Sequence, residues 1–335
     1  VVIGWYVHHH GFGHVARFLA VSPHLREPVV AFSSMPRPTG LPSEIEWIEL
    51  PPDADAFEDA DGTIIDPRHA EPTARGHLHW APHGHPGHRA RLAAIAATAV
   101  DRDLRVLVVD VSAEVVSFGR LLGLHTVAVT QPGERTDLPH ALAYALADRI
   151  VAPWAHGAVS TTGLAEHADR VMWTGGISRY DGRPDDGARD ARSVLLLGRV
   201  LDDDIREEAT DRLRARGWEV TAIGHDEASR LDDPWPLLTR STVVVSAAGQ
   251  NSVADLAASG SRAVVISQDR PFDEQHHTAD ALSRWGLARR ADQTVSADDL
   301  VTLVESAAGD DPDWALWQVA GAARRMASAI EAVLP

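Results

Sequence analysis

The sequence predicts an α/β protein of two tandem domains, each a doubly wound parallel sheet flanked by helices. Three observations carry this expectation. The chain has 335 residues, about twice the usual length of one domain. Short apolar runs bounded by turn residues alternate with segments of helical period, which is how βα units read. The pattern lapses over 153–187, where Gly175-Gly176, Asp181-Gly182 and the stretch 184–187 crowd turn residues together, and then resumes.

In order along the chain, the apolar runs place strands at 1–7, 29–33, 45–50, 104–110, 125–130 and 149–152. Helical spacing falls between them at 15–25, 89–100, 113–122 and 138–147. The second series has strands at 193–198, 218–224, 242–246 and 262–267, with helices at 203–216, 250–259, 273–285 and 297–308. A last amphipathic helix is expected from Trp314 to 333, after the start signal Asp311-Pro312-Asp313. The corresponding units are an N-terminal domain at 1–172, a linker at 173–192, a C-terminal domain at 193–312 and a terminal helix at 313–335. No fixed-period repeat occurs, which argues against a solenoid. Ligands of doubly wound sheets lie beyond the carboxyl ends of the strands, so a cleft between the domains is the expected site.

Composition removes whole reaction classes. The chain has no Cys, and all 31 basic residues are Arg. Without Lys there is no P-loop lysine and no pyridoxal Schiff base; without Cys there is no thiolate nucleophile, disulfide or Cys-ligated metal. A formal net charge of -17 repels phosphate backbones, so nucleic acid is not an expected partner. No run approaches the roughly 18 apolar residues of a membrane span, and residues 1–7 lack a signal peptide's charged region. The expected location is cytoplasmic, with any membrane contact confined to the inner face and its periphery.

Two segments repeat one arrangement, strand, glycine turn, helix. In His8-His9-His10-Gly11-Phe12-Gly13-His14, Gly11 and Gly13 permit a tight turn that leaves free amides at a helix start. His14 falls on the first helical turn at the sheet's carboxyl edge, a suitable place for a general base, and Arg17 shares its face one turn later. Consecutive side chains of an extended segment point apart, which argues against His8, His9 and His10 as a metal tract. In the second segment, Ala247-Ala248-Gly249 leads straight into a helix that would cradle a diphosphate on its first amides. Asn251 and Ser252 lie in that first turn, and Asp255 shares a face with Ser252, where a carboxylate can accept from a ribose diol. The competing reading is a capped core helix with Asp255 on the surface. Downstream, Asp273-Glu274-Gln275 offers adjacent acceptors and donors for sugar hydroxyls, or simple N-capping by Asp273.

Further candidates are weaker. The pairs Asp53/Asp55 and Asp59/Asp61 read as a solvated loop rather than a metal-binding Asp-x-Asp. His69, His77, His79, His83, His85 and His88 cluster around Trp80, where Pro72, Gly76, Pro82, Gly84, Pro86 and Gly87 are expected to break any helix. A loop at the cleft mouth, with Trp80 stacking on a sugar or lipid headgroup, fits that segment better than a metal site.

The run from Ala248 to Gly260, followed by a strand and Asp273-Glu274-Gln275, resembles the C-terminal domain of MurG-type glycosyltransferases (family 28, GT-B fold). The N-terminal Gly-x-Gly-His resembles the same family's glycine-rich turn. The resemblance implies two Rossmann-like domains facing a central cleft, with the terminal helix packing back on the first. It implies that Gly249, Asn251 and Ser252 hold a donor diphosphate, Asp255 the ribose, and Glu274 and Gln275 the hexose, with Gln250 also on the donor side. Gly198 and Arg199 match the family's donor loop, although only one glycine survives there. Gly11, Gly13, Arg17, Trp80, Glu134 and Arg135 fall on the acceptor side, the loop 131–137 departing from the family's sequence. The implied reaction is inverting, metal-independent transfer of a hexose from a UDP-sugar or other nucleotide sugar to a hydroxyl acceptor, lipid-linked or small, with no resident cofactor. The Gly-x-Gly-His-x-x-Arg at Gly11–Arg17 also resembles MurG-like UDP-sugar hydrolases, and sugar-nucleotide 2-epimerases share the architecture.

Overall fold

The computed structural model describes every residue except His10, Asp186 and Gly187. The part of the His8–His10 tract at His10, and the turn at 186–187, therefore lie outside the described residues. The first unit runs β1 (Val2–Tyr6), α1 (Phe12–Val21), β2 (Val29–Ser33), β3 (Glu46–Glu49), a hairpin of β4 (Phe57–Glu58) and β5 (Ile64–Ile65), α2 (Pro86–Asp101), β6 (Leu104–Asp110), α3 (Ala113–Leu121), β7 (His125–Val129), α4 (Leu138–Leu146), β8 (Arg149–Ala152) and β9 (Val171–Trp173). The second runs β10 (Ser193–Leu197), α5 (Asp203–Ala215), β11 (Glu219–Ile223), α6 (Trp235–Arg240), β12 (Val243–Ala247), α7 (Gln250–Ala258), β13 (Ala263–Ser267), α8 (Glu274–Arg284), β14 (Arg289–Asp292), α9 (Ala297–Ala307) and finally α10 (Ala322–Glu331).

Seven strands form one sheet in the order β3-β2-β1-β6-β7-β8-β9, and five form another in the order β11-β10-β12-β13-β14. All neighbours within the two sheets are parallel. Strand order therefore reverses between β1 and β6 in the first sheet and between β10 and β12 in the second. A crevice opens at such switch points, beyond the strands' carboxyl ends. Those ends lead to His14 and Asp110 in one unit and to Gly198 and Gly249 in the other.

Alternation along β1 shows how the sheet is sandwiched. Ile3, Trp5 and Val7 join Val15 and Phe18 of α1 and Met326 and Ile330 of α10 in one core, while Tyr6 joins Val109 and Tyr144 on the opposite face. The chain's end thus completes the first unit's core.

Several elements differ from the sequence expectation. β9 and β14 were not anticipated: one is three residues long, and the other reads Arg-Arg-Ala-Asp, an edge strand with no apolar run. α6 spans six residues and is too short to show a period. α2 begins at Pro86, inside the stretch expected to exclude a helix. Proline is tolerated at a helix's first position, and the His85 side chain caps it by accepting from His88 N. The terminal helix starts at Ala322 rather than Trp314; Gln318 and Gly321 both take positive φ and break it. Trp314 and Trp317 form a 3-10 turn in the core of the second unit, so only α10 crosses to the first.

Asp53 corrects the solvated-loop expectation. It is buried, paired with Arg91 and His88, and Arg91 in turn donates to the Tyr6 and Ser34 hydroxyls. Although burial raises its carboxyl, those partners bring it down to about 2. Asp59 is likewise occupied, accepting from the amides of Asp61 and Thr63.

Candidate active site

Gly11 opens α1 at φ 80°, a backbone conformation that glycine adopts without strain, and no side chain caps the helix. His14 is thereby set on the first turn and buried, its Nδ1 3.0 Å from Asp110 Oδ1. Arg17 Nη1 reaches the same oxygen at 2.6 Å. Burial pushes the Asp110 carboxyl up, but Arg17 and His14 overcome this and hold it below its ordinary value. Sequence reasoning missed Asp110. Its signal was a carboxylate closing an otherwise apolar strand at the sheet's carboxyl edge, next to the β1 turn only once β6 pairs with β1.

His8 and His9 are not splayed as in an extended segment. His8 and His9 stack at 4.8 Å between ring centroids, and His8 lies 5.5 Å from His14. The chain has left strand geometry after Tyr6, so period-two alternation no longer applies.

Across the cleft, α7 starts at Gly249 with no side-chain cap, leaving its first amides to bind an anion with the helix dipole behind them. Its amino end abuts that of α1. Arg17 Nη2 donates to Gln250 Oε1 at 2.8 Å, and Asn251 Nδ2 donates to the Gly13 carbonyl at 2.7 Å. Ser252 is half-exposed on the same turn. Gly198, at φ 83°, donates its amide to Ile223, while Arg199 is exposed and its carbonyl accepts from Gln268 Nε2.

Asp255 is half-buried rather than on the surface, accepting from Ser178 Oγ at 2.6 Å. Burial raises its carboxyl to about 6 against the pull of that hydrogen bond. Ser178 lies in the linker, where nothing in the sequence marks it. Glu274 is half-buried and raised by burial, with Arg135 Nη2 3.5 Å away. Gln275 is buried, and its Oε1 accepts from Gln268 N at 3.1 Å.

The acceptor-side residues divide. Arg135 is buried: Nε and Nη2 donate to Gln131, and its guanidinium lies 4.6 Å from the Phe272 ring centroid. Glu134 is exposed, accepts from Thr162, and donates its amide to the Phe272 carbonyl. With His140 and Tyr144, Arg135 lines a small cavity of about 20 Å³, walled by Val109, Val116 and Ala128; that is room for about one water. Trp80 is held apart from these: its indole N–H donates to the Asp53 carbonyl.

His79, Asp137 and His140 bring ligand atoms within 4.8 Å of one another. Their hydrogen bonding defines the cluster differently. Arg135 Nη1 lies 3.2 Å from His140 Nε2, and a guanidinium only donates, so Nε2 accepts and Nδ1 carries the proton that Asp137 accepts at 2.6 Å. In that tautomer Nδ1 has no lone pair for a metal. Burial and the Arg135 charge lower the His140 ring to about 4, against the pull of Asp137.

Two parallel-sheet units meeting at paired switch points constitute the GT-B fold, and solved structures bear this out. The chain superposes over 100% of its length on 99% of the "Glycotransferase of kitacinnamycin" at TM-score 0.69 and 15% identity. It matches the MurG of Acinetobacter baumannii over 99% of both chains, at TM-score 0.62 and 15% identity. CalG4, the calicheamicin glycosyltransferase, is similar over 98% of this chain and 94% of its own, at TM-score 0.56 and 14% identity. No protein-family model matches the sequence, and no curated protein sequence matches it. Among the described residues no helix is long and apolar enough to cross a membrane.

Proposed function

We propose that the protein is an inverting glycosyltransferase that moves a hexose from a nucleoside-diphosphate sugar, in the first instance a UDP-sugar, to a hydroxyl acceptor without a metal. The observation that carries this reading is the His14–Asp110 pair at one switch point, set opposite the uncapped amino end of α7 at the other. His14 Nε2, the nitrogen not turned to Asp110, takes the acceptor's proton. The acceptor oxygen then attacks the anomeric carbon from the face opposite the leaving group. The bond from that carbon to the diphosphate oxygen breaks, and its electron pair leaves with the diphosphate. The growing charge faces the first amides of α7, an electrostatic stabilisation that needs no reorganisation. Asp110 fixes the ring and stabilises the imidazolium.

Asp255 is assigned to the ribose, with Glu274 and Gln275 reading the hexose hydroxyls. Metal independence is supported by the engagement of the Asp-x-Asp carboxylates, Asp53 by Arg91 and Asp59 by backbone amides. Hydrolysis is the second reading, favoured by Phe272, which packs on Arg135 and His140, and by the cavity beside them, which has room for about one water.

The test is nucleotide release from a panel of UDP-, dTDP-, GDP- and CDP-sugars in chelator, with and without phenolic and alcohol acceptors. Release that requires an acceptor supports transfer, and release without one supports hydrolysis. Absence of both with every donor overturns the reading.

A further inference from the structure

Arg17 does more than border the site. Asp110 is completely buried, and its Oδ2 has no hydrogen-bond partner among the described residues. Arg17 Nη1 donates to Oδ1 at 2.6 Å, and His14 Nδ1 lies 3.0 Å from the same oxygen without an aligned hydrogen bond. The side chains of Arg17 and His14 are themselves buried.

In so dry a pocket the net charge decides protonation. One carboxylate and one guanidinium cancel, and a proton added to His14 makes the group cationic. Were Arg17 absent, the same proton would complete a neutral carboxylate–imidazolium pair. Arg17 is fixed in this role from the other domain, because Nη2 donates to Gln250 Oε1 of α7. Among the described residues, His8, from the segment after β1 with His9 stacked on it, and Glu274 of α8, whose charge couples to both His14 and Arg17, also face His14. Gln250 and Asn251, which α7 presents, are neutral.

We propose that Arg17 is a positioning residue that keeps His14 uncharged by competing for Asp110 Oδ1, and that Gln250 holds it there across the cleft. That His14 is the base of the reaction rests on the proposed function; its titration does not. Through Gln250, Arg17 ties the proton balance at His14 to the contact between α1 and α7.

The experiment follows the His14 Cε1–H resonance with pH in the full chain labelled with 13C-histidine, the signal assigned by its loss in H14Q. An opposite charge removed or unmasked within about 4–6 Å moves a titration by about 1–3 units. Arg17→Met is expected to raise the His14 midpoint by at least about 1 unit. Arg17→Lys, which keeps the charge, is expected to stay within about 0.3 units of the wild type. The double variant R17M/D110N removes both charges and is expected to return the midpoint to near or below the wild-type value, which simple loosening of the fold would not do. Gln250→Leu is expected to give a smaller rise than R17M.

A midpoint in R17M within about 0.3 units of the wild type overturns the proposal. Should R17M not fold, the double variant and Q250L decide, and an unmoved midpoint in Q250L removes the cross-domain part. In kinetics the acid limb of kcat/KM should follow the resonance. If the resonance moves and the limb does not, the assignment of His14 as base fails while the role of Arg17 stands.

Discussion

Asp255 illustrates how a single buried carboxyl at this site makes stability depend on pH. Its carboxyl titrates at about 6 in the folded chain because burial outweighs the Ser178 hydrogen bond. The folded state thus holds the proton more tightly than the unfolded state. The carboxyl's contribution is fully favourable below about pH 4, declines as pH rises toward 6, and remains a cost above it. Asp255→Asn removes that cost while keeping an acceptor for Ser178. It is expected to stabilise the fold by about 2 kcal/mol at pH 8 and by nothing measurable near pH 4, as read from urea unfolding at the two pH values. Donor affinity should fall in the same variant, since an amide binds a ribose diol less well than a carboxylate. At His14, replacement by Ala should lower turnover by about 10²–10⁴-fold with donor affinity kept, as steady-state kinetics and nucleotide titration would measure.

At the scale of elements, α10 is the segment whose role is easiest to isolate. Ala322, Ala323, Met326, Ala327 and Ile330 share a buried face on the first unit, while Trp314 and Trp317 anchor the preceding turn in the second. Arg325 secures the crossing by donating to the carbonyls of Thr174, Gln318 and Ala320. Met326 is fully buried beside Trp5 and Phe18, so truncation leaves a cavity. Met326→Ala is expected to cost about 2–5 kcal/mol of unfolding free energy in urea, whereas Arg324→Ala, on the exposed face, should be nearly neutral.

For the whole molecule, the contact between loop 131–137 and the start of α8 sets how closely the two units approach. Phe272 and Asp273 both take left-handed backbone, at φ 62° and 54°. This costs about 1–3 kcal/mol per residue and persists where surroundings over-determine it. Here the surroundings are Arg135, His79 and His140 around the Phe272 ring, and Gly133 beneath its carbonyl. A Cβ on Gly133 would overlap that carbonyl, and both sides of the clash are backbone. Gly133→Ala should therefore displace the two units, lower turnover at least about 10-fold and leave thermal stabilisation by a nucleoside diphosphate intact, because α7 is untouched. Kinetics beside a thermal-shift titration would show the split.

Periodicity and glycine turns were enough to place both βα series, the two strand–turn–helix motifs, and His14 and Asn251 at helix starts, because those signals are local. Short or polar edge elements such as β14 and α6 left no periodic trace, since their residues are chosen by what they pack against. The partners that define the site were likewise hidden: Asp110 lies 93 positions from Arg17, and Gln250 lies 233 positions away. Their meeting is tertiary: strand order seats β6 beside β1, and the packing of one unit on the other brings α7 against α1. Burial, too, is a property of the assembled chain, and it is burial that moves the carboxyls of Asp255 and Glu274 and encloses Arg17 and His14 beside one oxygen of Asp110.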